Sequence, residues 1–148
     1  MKNLDIPPVW LIGFIVLAYI QSRLWPGLSL GGPWAEFLGG LAVGSGILLT
    51  VMAVMEFRKH RTTIHPHGAE SALIQTGVFK RSRNPIYLAD VLILSGLILY
   101  WDAVLSLPLI PVFLWLLERR FIIPEENRLR RKFRAQYAAY CGKTRRWL

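Results

Sequence analysis

Hydrophobic residues come in long blocks along this chain, separated by short polar or turn-rich segments. Residues 9–20 form an unbroken apolar run that Trp25 extends past an isolated Arg23, and Pro7-Pro8 ahead of it suits a rigid lead-in to a helix. The run lacks the early basic cluster and small-residue cleavage site of a signal peptide, so it is expected to be retained. Residues 37–55 carry no charge. A helix needs roughly 20 apolar residues to cross a bilayer core, and both blocks approach that length. Between them, residues 26–33 hold Gly27, Gly31 and Gly32 beside two prolines, a turn-rich connection. Residues 91–117 are apolar except for Asp102, but Pro108 and Pro111 would kink a single long helix. Tyr100-Trp101-Asp102 reads as an interfacial turn, so the pattern predicts a helical hairpin, 86–101 and 103–117.

After the hairpin, Pro124 suits a first helical position and Glu125-Glu126 suits a helix N-terminus. Leu129, Phe133, Tyr137 and Tyr140 then recur at helical spacing among Arg128, Arg130, Arg131, Lys132 and Arg134. That spacing predicts an amphipathic helix lying on an anionic surface. The expected fold is all-α: an integral membrane protein with four transmembrane helices, two plus a hairpin, and a C-terminal amphipathic cytoplasmic helix. It is a single domain over residues 1–148.

Composition sharpens this picture. The chain is 53% hydrophobic with a net charge of +9 and a mean hydropathy of +0.37, too apolar and too basic at once for an ordinary soluble domain. The charge is unevenly placed. Ten of the 18 Lys and Arg lie beyond residue 117, others occupy the polar segment 56–83, and none lies between Trp25 and Phe37, the connection of the first two spans. By the positive-inside rule both termini and the 56–85 loop face the cytoplasm. The cations flank hydrophobic spans without any nucleic-acid motif, so lipid headgroups rather than nucleic acid are the expected partner. The single Cys141 excludes an internal disulfide. Gly39, Gly40, Gly44 and Gly46 give the second span a small-residue face, which leaves a homodimer or an internal helix contact open.

Two polar groupings border the hairpin, Arg83-Asn84-Pro85-Ile86-Tyr87 before it and Glu125-Glu126 after it. Each has an ordinary reading. Asn84 suits a helix N-cap with Pro85 in the first turn, Arg83 a side chain that snorkels to phosphate, and the acid pair a helix dipole. Together they place polar, cofactor-grade chemistry at a membrane surface. Asp90 is the one acid expected inside a span, which makes it a functional candidate, although a salt bridge to Arg83 or Arg23 is the simpler role. His60, His65 and His67 have neither cysteines nor helical spacing beside them and read as loop histidines, so no metal site is expected.

These groupings belong to a longer layout. The stretch Leu73-Ile74-Gln75-Thr76-Gly77-Val78-Phe79, the Arg83 to Tyr87 motif, an apolar hairpin, Glu125-Glu126, and a closing Phe133, Tyr137, Tyr140 and Arg146-Trp147 resemble the C-terminal half of the isoprenylcysteine carboxyl methyltransferase and phospholipid methyltransferase group. In its small bacterial-type members this is an integral inner-membrane enzyme. The resemblance covers residues 71–148 and implies that this half binds S-adenosylmethionine in a cytoplasm-facing pocket. It assigns Ser71, Ala72, Leu73, Ile74 and Phe79 to the cofactor wall. Asn84, Pro85, Ile86 and Tyr87 would line the ribose and methionine moieties, Glu125 would take a cofactor hydroxyl or amino group, and Arg83 would pair with its carboxylate.

The chain departs from the pattern at four places. Asn84 stands for a histidine and so cannot do acid-base work, and Phe79 stands for a tyrosine. Ala89 stands for a frequent glycine, and Phe121 stands where the prenylcysteine enzymes carry an arginine for a substrate carboxylate. The resemblance therefore implies methyl transfer to a lipophilic small molecule or lipid without fixing the atom. A carboxylate or thiolate acceptor would be held by Arg120 or Arg119, whereas an amine would be oriented, or relieved of its proton, by Asp90 or Glu126. The sulfonium already activates the methyl, so the protein chiefly has to position the acceptor and exclude water. An NADPH-dependent membrane reductase and a non-catalytic membrane scaffold are the competing classes.

Overall fold

The computed structural model describes residues 5–25, 29, 32–61 and 73–148. Ser71, Ala72, His65, His67 and most of the 26–33 connection lie outside the described residues. The described chain is all-α. Helix α1 spans Pro7–Leu24, α2 Pro33–Lys59, α3 Pro85–Tyr100, α4 Leu109–Leu117 and α5 Ile123–Lys143. Pro7 and Pro8 occupy the first turn of α1, where their missing N–H groups have no helical partner to lose. Helix α2 overruns its charge-free block at both ends. Glu36 sits in its first turn and Arg58 and Lys59 in its last, each at the pole of the helix dipole that stabilises it.

Helices α1 and α2 are long and apolar enough to cross a membrane, and both point large apolar side chains outward. Ile12 on α1 is 60% exposed, and Phe37 and Met55 on α2 are 70% and 63% exposed. Water would penalise such surfaces heavily, whereas lipid does not.

Helix α3 lies at the centre and packs against α1, α2 and α4. Its contact with α2 is backbone to backbone. A Cβ at Gly39 would fall 2.6 Å from the Gly96 carbonyl oxygen and 2.6 Å from the Tyr100 nitrogen, and one at Gly46 would fall 2.9 Å from the Ala89 carbonyl oxygen. The small residues of α2 thus split between two faces. Gly39 and Gly46, two turns apart, meet α3, while Gly40 and Gly44 have open space around them. The main core joins Leu11, Phe14 and Ala18 of α1 to Leu94, Ile98, Phe113, Leu117 and Phe121.

The hairpin differs from its expected form. Asp102 turns the chain with φ 52, and Val104–Ser106 is a tight 3₁₀ turn. The second arm begins only at Leu109 because Pro108 sits at the N-cap. Nor does the chain pause before the acid pair. Helix α4 runs through a π-helical segment, Glu118–Ile122, directly into α5. Pro124 supplies the reason: in a straight α-helix its ring would clash with the carbonyl four residues back, and the wider π turn relieves that clash. Helix α5 breaks at Arg134 (φ 39, ψ −112), so the tail is not one straight surface helix. Tyr137 and Tyr140 beyond the break are buried against the protein.

Gly39→Val should destabilise the protein by about 1–3 kcal/mol, because the new side chain has only backbone to displace. Gly40→Ala, in open space, should be neutral or stabilising by up to about 1 kcal/mol. Thermal unfolding of the two variants in detergent distinguishes them.

Candidate functional site

The end of α2 sets the first wall. Gly77 adopts φ +57, which glycine tolerates, and a Cβ there would fall 2.5 Å from the Glu56 side chain. The Thr76 hydroxyl donates to Glu56, fixing the 3₁₀ turn Gly77–Lys80 against α2. That turn buries Phe79 with Ile74 and Ala53, and Phe57 meets the Phe79 ring edge-on at 5.4 Å. Leu73 is half-buried beside them.

Ser82 forms an isolated β-bridge with Arg145 as the chain enters α3. Asn84 occupies the N-cap position, but its side chain does not cap the helix. Its Nδ2 donates instead to the Arg146 carbonyl at 3.0 Å. The Arg83 N–H donates to the Arg145 carbonyl at 3.0 Å, and its guanidinium donates to the carbonyls of Cys141 and Thr144. Neither residue does what a surface helix start would ask of it. Arg83 turns inward, 3.6 Å from Glu126, rather than snorkelling to phosphate.

The tail is fastened from its own side as well. The Arg146 guanidinium forks between two carboxylates, donating to Glu118 and, at 3.1 and 2.7 Å, to both oxygens of Glu126. These hydrogen bonds to Glu126 raise the Arg146 pKa further above its ordinary value. The Tyr140 hydroxyl donates to the Phe79 carbonyl at 2.6 Å, and burial pushes its pKa up to about 12, so it remains a donor near neutral pH. Residues 140–147 therefore strap the motif, the π segment and α5 together.

Between these walls lies a cavity of about 200 Å³. Phe79, Arg83, Asn84, Pro85, Ile86, Tyr87 and Glu125 line it, and they are joined by Ile6, Pro7 and Pro8 of α1 and Phe57 of α2. The Tyr87 hydroxyl donates to Glu125 at 2.8 Å, and Phe121 stacks behind the Tyr87 ring at 6.4 Å. The chain thus brings its two polar groupings to one place, 38 residues apart in sequence.

Leu73 and Ile74 are not among the lining residues, and the three candidates for the methyl acceptor also lie off this cavity. Glu126 is buried in the ion-pair cluster with Arg83 and Arg146. Arg120 is on the outer surface, paired with Asp5 at 2.7 Å and 5.4 Å from the centre of the Trp10 ring. Asp90 is buried one helical turn beyond Tyr87, and among the described residues its Oδ2 has no hydrogen-bond partner. The expected salt bridge is not formed to either arginine. Arg83 is engaged by the tail, and Arg23 lies at the far end of α1, over the Tyr19 ring that meets Trp101 beyond the end of α3.

The lining suits S-adenosylmethionine by its chemistry. Phe79 and Ile86 offer flat or apolar surface to a purine, Glu125 offers acceptors to a hydroxyl or ammonium, and the buried Arg83 Nε has no hydrogen-bond partner among the described residues, leaving a donor suited to a carboxylate. Sequence reasoning missed Ile6, Pro7, Pro8 and Phe57 because nothing in an apolar run marks which turn of it faces a cavity. It also left Arg146 without a role, although a basic residue closing the tail was its one visible signal.

A family model described as phospholipid methyltransferase matches residues 34–136, from the start of α2 to just past the break in α5. No curated protein and no solved structure matches the chain.

Arg146→Ala should lower stability by roughly 2 kcal/mol, since it leaves the buried Glu126 with Arg83 at 3.6 Å as its remaining ion-pair partner. Arg146→Lys should recover only part of the loss, because an ammonium cannot span both carboxylates in the same fork. Equal melting temperatures for the alanine variant and the parent would count against the strap.

Proposed function

Because the chain belongs to the phospholipid methyltransferase family, and is therefore an S-adenosylmethionine-dependent membrane enzyme, we propose that it methylates the amine of a membrane lipid at the cavity between Tyr87 and Glu125. The reading rests on one observation: Phe79, the five residues Arg83 to Tyr87 and Glu125 converge on a single cavity at one end of two bilayer-length helices. Bound there, the cofactor supplies an electrophilic methyl group on a sulfonium. The protein's own task is to hold, orient and keep dry.

In this proposal Phe79, Ile86 and the outer residues Leu73 and Ile74 form the apolar wall for the base. Asn84, Pro85 and Tyr87 border the rest of the cofactor, Arg83 Nε faces its carboxylate, and Glu125 takes a hydroxyl or amino group. Tyr87 fixes the rotamer of Glu125 through the 2.8 Å hydrogen bond, with Phe121 behind its ring. Four spans, with α3 and α4 entering as a hairpin, put the cavity and both termini on the cytoplasmic side by the distribution of Lys and Arg. Residues 71–148 act as the cofactor-binding half of one domain.

Charge favours the amine. Arg83 is the one guanidinium lining the cavity among the described residues, and its terminal nitrogens are committed to tail carbonyls and Glu126. Arg120, the candidate for holding a carboxylate acceptor, is paired with Asp5 on the outer surface. Glu125 is the one carboxylate lining the cavity among the described residues and Arg83 is already paired with Glu126, so a cationic headgroup is the better match.

Isothermal titration of detergent-purified protein with S-adenosylhomocysteine tests the site. Glu125→Ala should weaken binding by about 2 kcal/mol, roughly 30-fold. Cys141→Ser should leave it unchanged. Binding of NADPH with no response to S-adenosylhomocysteine, or full affinity in a folded Glu125→Ala variant, would reject this site. Tritiated-methyl transfer to an amine lipid, and not to a fatty acid presented in the same micelles, is the outcome expected for the acceptor.

A further inference from the structure

We infer that Arg128 forms an anion subsite beside the cavity, one helical turn past Glu125, and that it takes the phosphate of an amine-bearing lipid headgroup. The inference rests on the proposed function and deepens it: it names a second charge that the acceptor carries and the residue that reads it.

Arg128 stands apart from the cations around it. Arg130, Arg131, Lys132 and Arg134 further along α5 are exposed, whereas Arg128 is half-buried. Its Nε is shut off from solvent and has no hydrogen-bond partner among the described residues. Other arginines near the motif are already matched, since Arg83 and Arg146 share Glu126 and Arg120 is paired with Asp5. Arg128 forms no ion pair of this kind among the described residues. Burying a guanidinium N–H unpaired is unfavourable, and an anion bound from outside the chain relieves that cost.

The position of Arg128 sets the chemistry of that anion. It follows Glu125 by three residues, which puts both side chains on one face of α5 with Cβ atoms about 5–6 Å apart. The Arg128 charge is felt at the Tyr87 phenol, whose hydroxyl donates to Glu125 at 2.8 Å, so the guanidinium lies on the side of α5 that faces Tyr87. Arg128 does not line the cavity itself but stands next to the lining residue Glu125. With the cofactor carboxylate facing Arg83 Nε, the anion left for Arg128 belongs to the acceptor. A carboxylate and a guanidinium one turn apart are the charge complement of a headgroup whose ammonium and phosphate are joined by a short ethylene spacer. The planar fork of Arg128 matches two phosphate oxygens. An amine without phosphate satisfies Glu125 alone, and a fatty carboxylate meets Glu125 as a like charge. The pair therefore selects a zwitterionic lipid over either.

Binding rather than turnover reads the subsite. The detergent-purified full chain is titrated calorimetrically, without nucleoside, with dihexanoyl phosphatidylethanolamine, with sphingosine, which carries an amine but no phosphate, and with inorganic phosphate. Phosphatidylethanolamine should bind tightest. Arg128→Gln should weaken it about tenfold while leaving sphingosine and, in a separate titration, S-adenosylhomocysteine within about twofold of the parent. Arg130→Gln removes an exposed charge from the same helix and should change neither lipid, which separates a subsite from general attraction to a basic surface. Arg128→Lys keeps the charge without the fork and should cost about threefold for phosphatidylethanolamine alone, so the inference stays testable if the glutamine variant does not fold. Equal losses for the two lipids, equal effects of Arg128→Gln and Arg130→Gln, or lost S-adenosylhomocysteine binding in folded Arg128→Gln overturns the subsite. Inorganic phosphate that binds as tightly as the phospholipid, with the same dependence on Arg128, overturns the headgroup assignment in favour of a free anion. A parent protein that ignores S-adenosylhomocysteine yet binds phosphatidylethanolamine through Arg128 would instead strike at the methyl-transfer reading and leave the subsite standing.

Discussion

Holding the Glu126 carboxylate out of water between Arg146 and Arg83 is the interaction on which the rest of the site depends. A buried carboxylate is costly unless it is paired and hydrogen-bonded, and here both oxygens are used. The arrangement draws in three separate parts of the chain. Arg83 comes from the motif before α3, Glu118 and Glu126 from the long helix after α4, and Arg146 from the end of the tail. Once they meet, Asn84 and Arg83 find their remaining partners in tail carbonyls, and Tyr87 and Glu125 are left facing the cavity. The strap thus separates the polar groups that hold the fold from those turned toward a ligand.

Much of the fold could be read from the order of apolar and polar blocks. Residues 9–20 and 37–55 lie within α1 and α2, and the turn at Tyr100-Trp101-Asp102 falls where the aromatic and acidic residues suggested. What escaped was everything decided by contact between distant residues. The glycines of α2 looked like one face, yet only Gly39 and Gly46 meet a neighbour, because seven residues make two turns and the intervening pair points elsewhere. Asn84 looked like a helix cap and became a tail anchor, since a tail carbonyl 62 residues away competes for the same side chain. Of the residues the resemblance suggested for the cofactor, seven line the cavity and Leu73 and Ile74 do not, whereas the three suggested for the methyl acceptor, Glu126, Asp90 and Arg120, stand apart for three different reasons of pairing and burial.

The family relationship and the physical reading meet in the same residues. A matched segment that begins with α2 includes the acid pair and the Arg83 to Tyr87 motif, but not α1 or the strap. Helix α1 contributes Pro7 and Pro8 to the cavity wall, and the strap anchors the motif that lines it. The shared part carries most of the cavity lining, while α1 packs on α3 and α4 and the tail holds the motif in place.

The π segment carries a further consequence. Each residue of an α-helix advances the next by about 100° around the axis, so the wider turn at Glu118–Ile122 sets the angular phase of all that follows. With a regular turn in its place, Glu125 and Glu126 would rotate out of alignment with Tyr87 and Arg146 while every sequence motif stayed intact. Spacing between the motifs, and not their composition alone, is therefore part of what this enzyme must inherit: a single-codon deletion there would uncouple the two halves of the pocket as thoroughly as replacing the residues that line it.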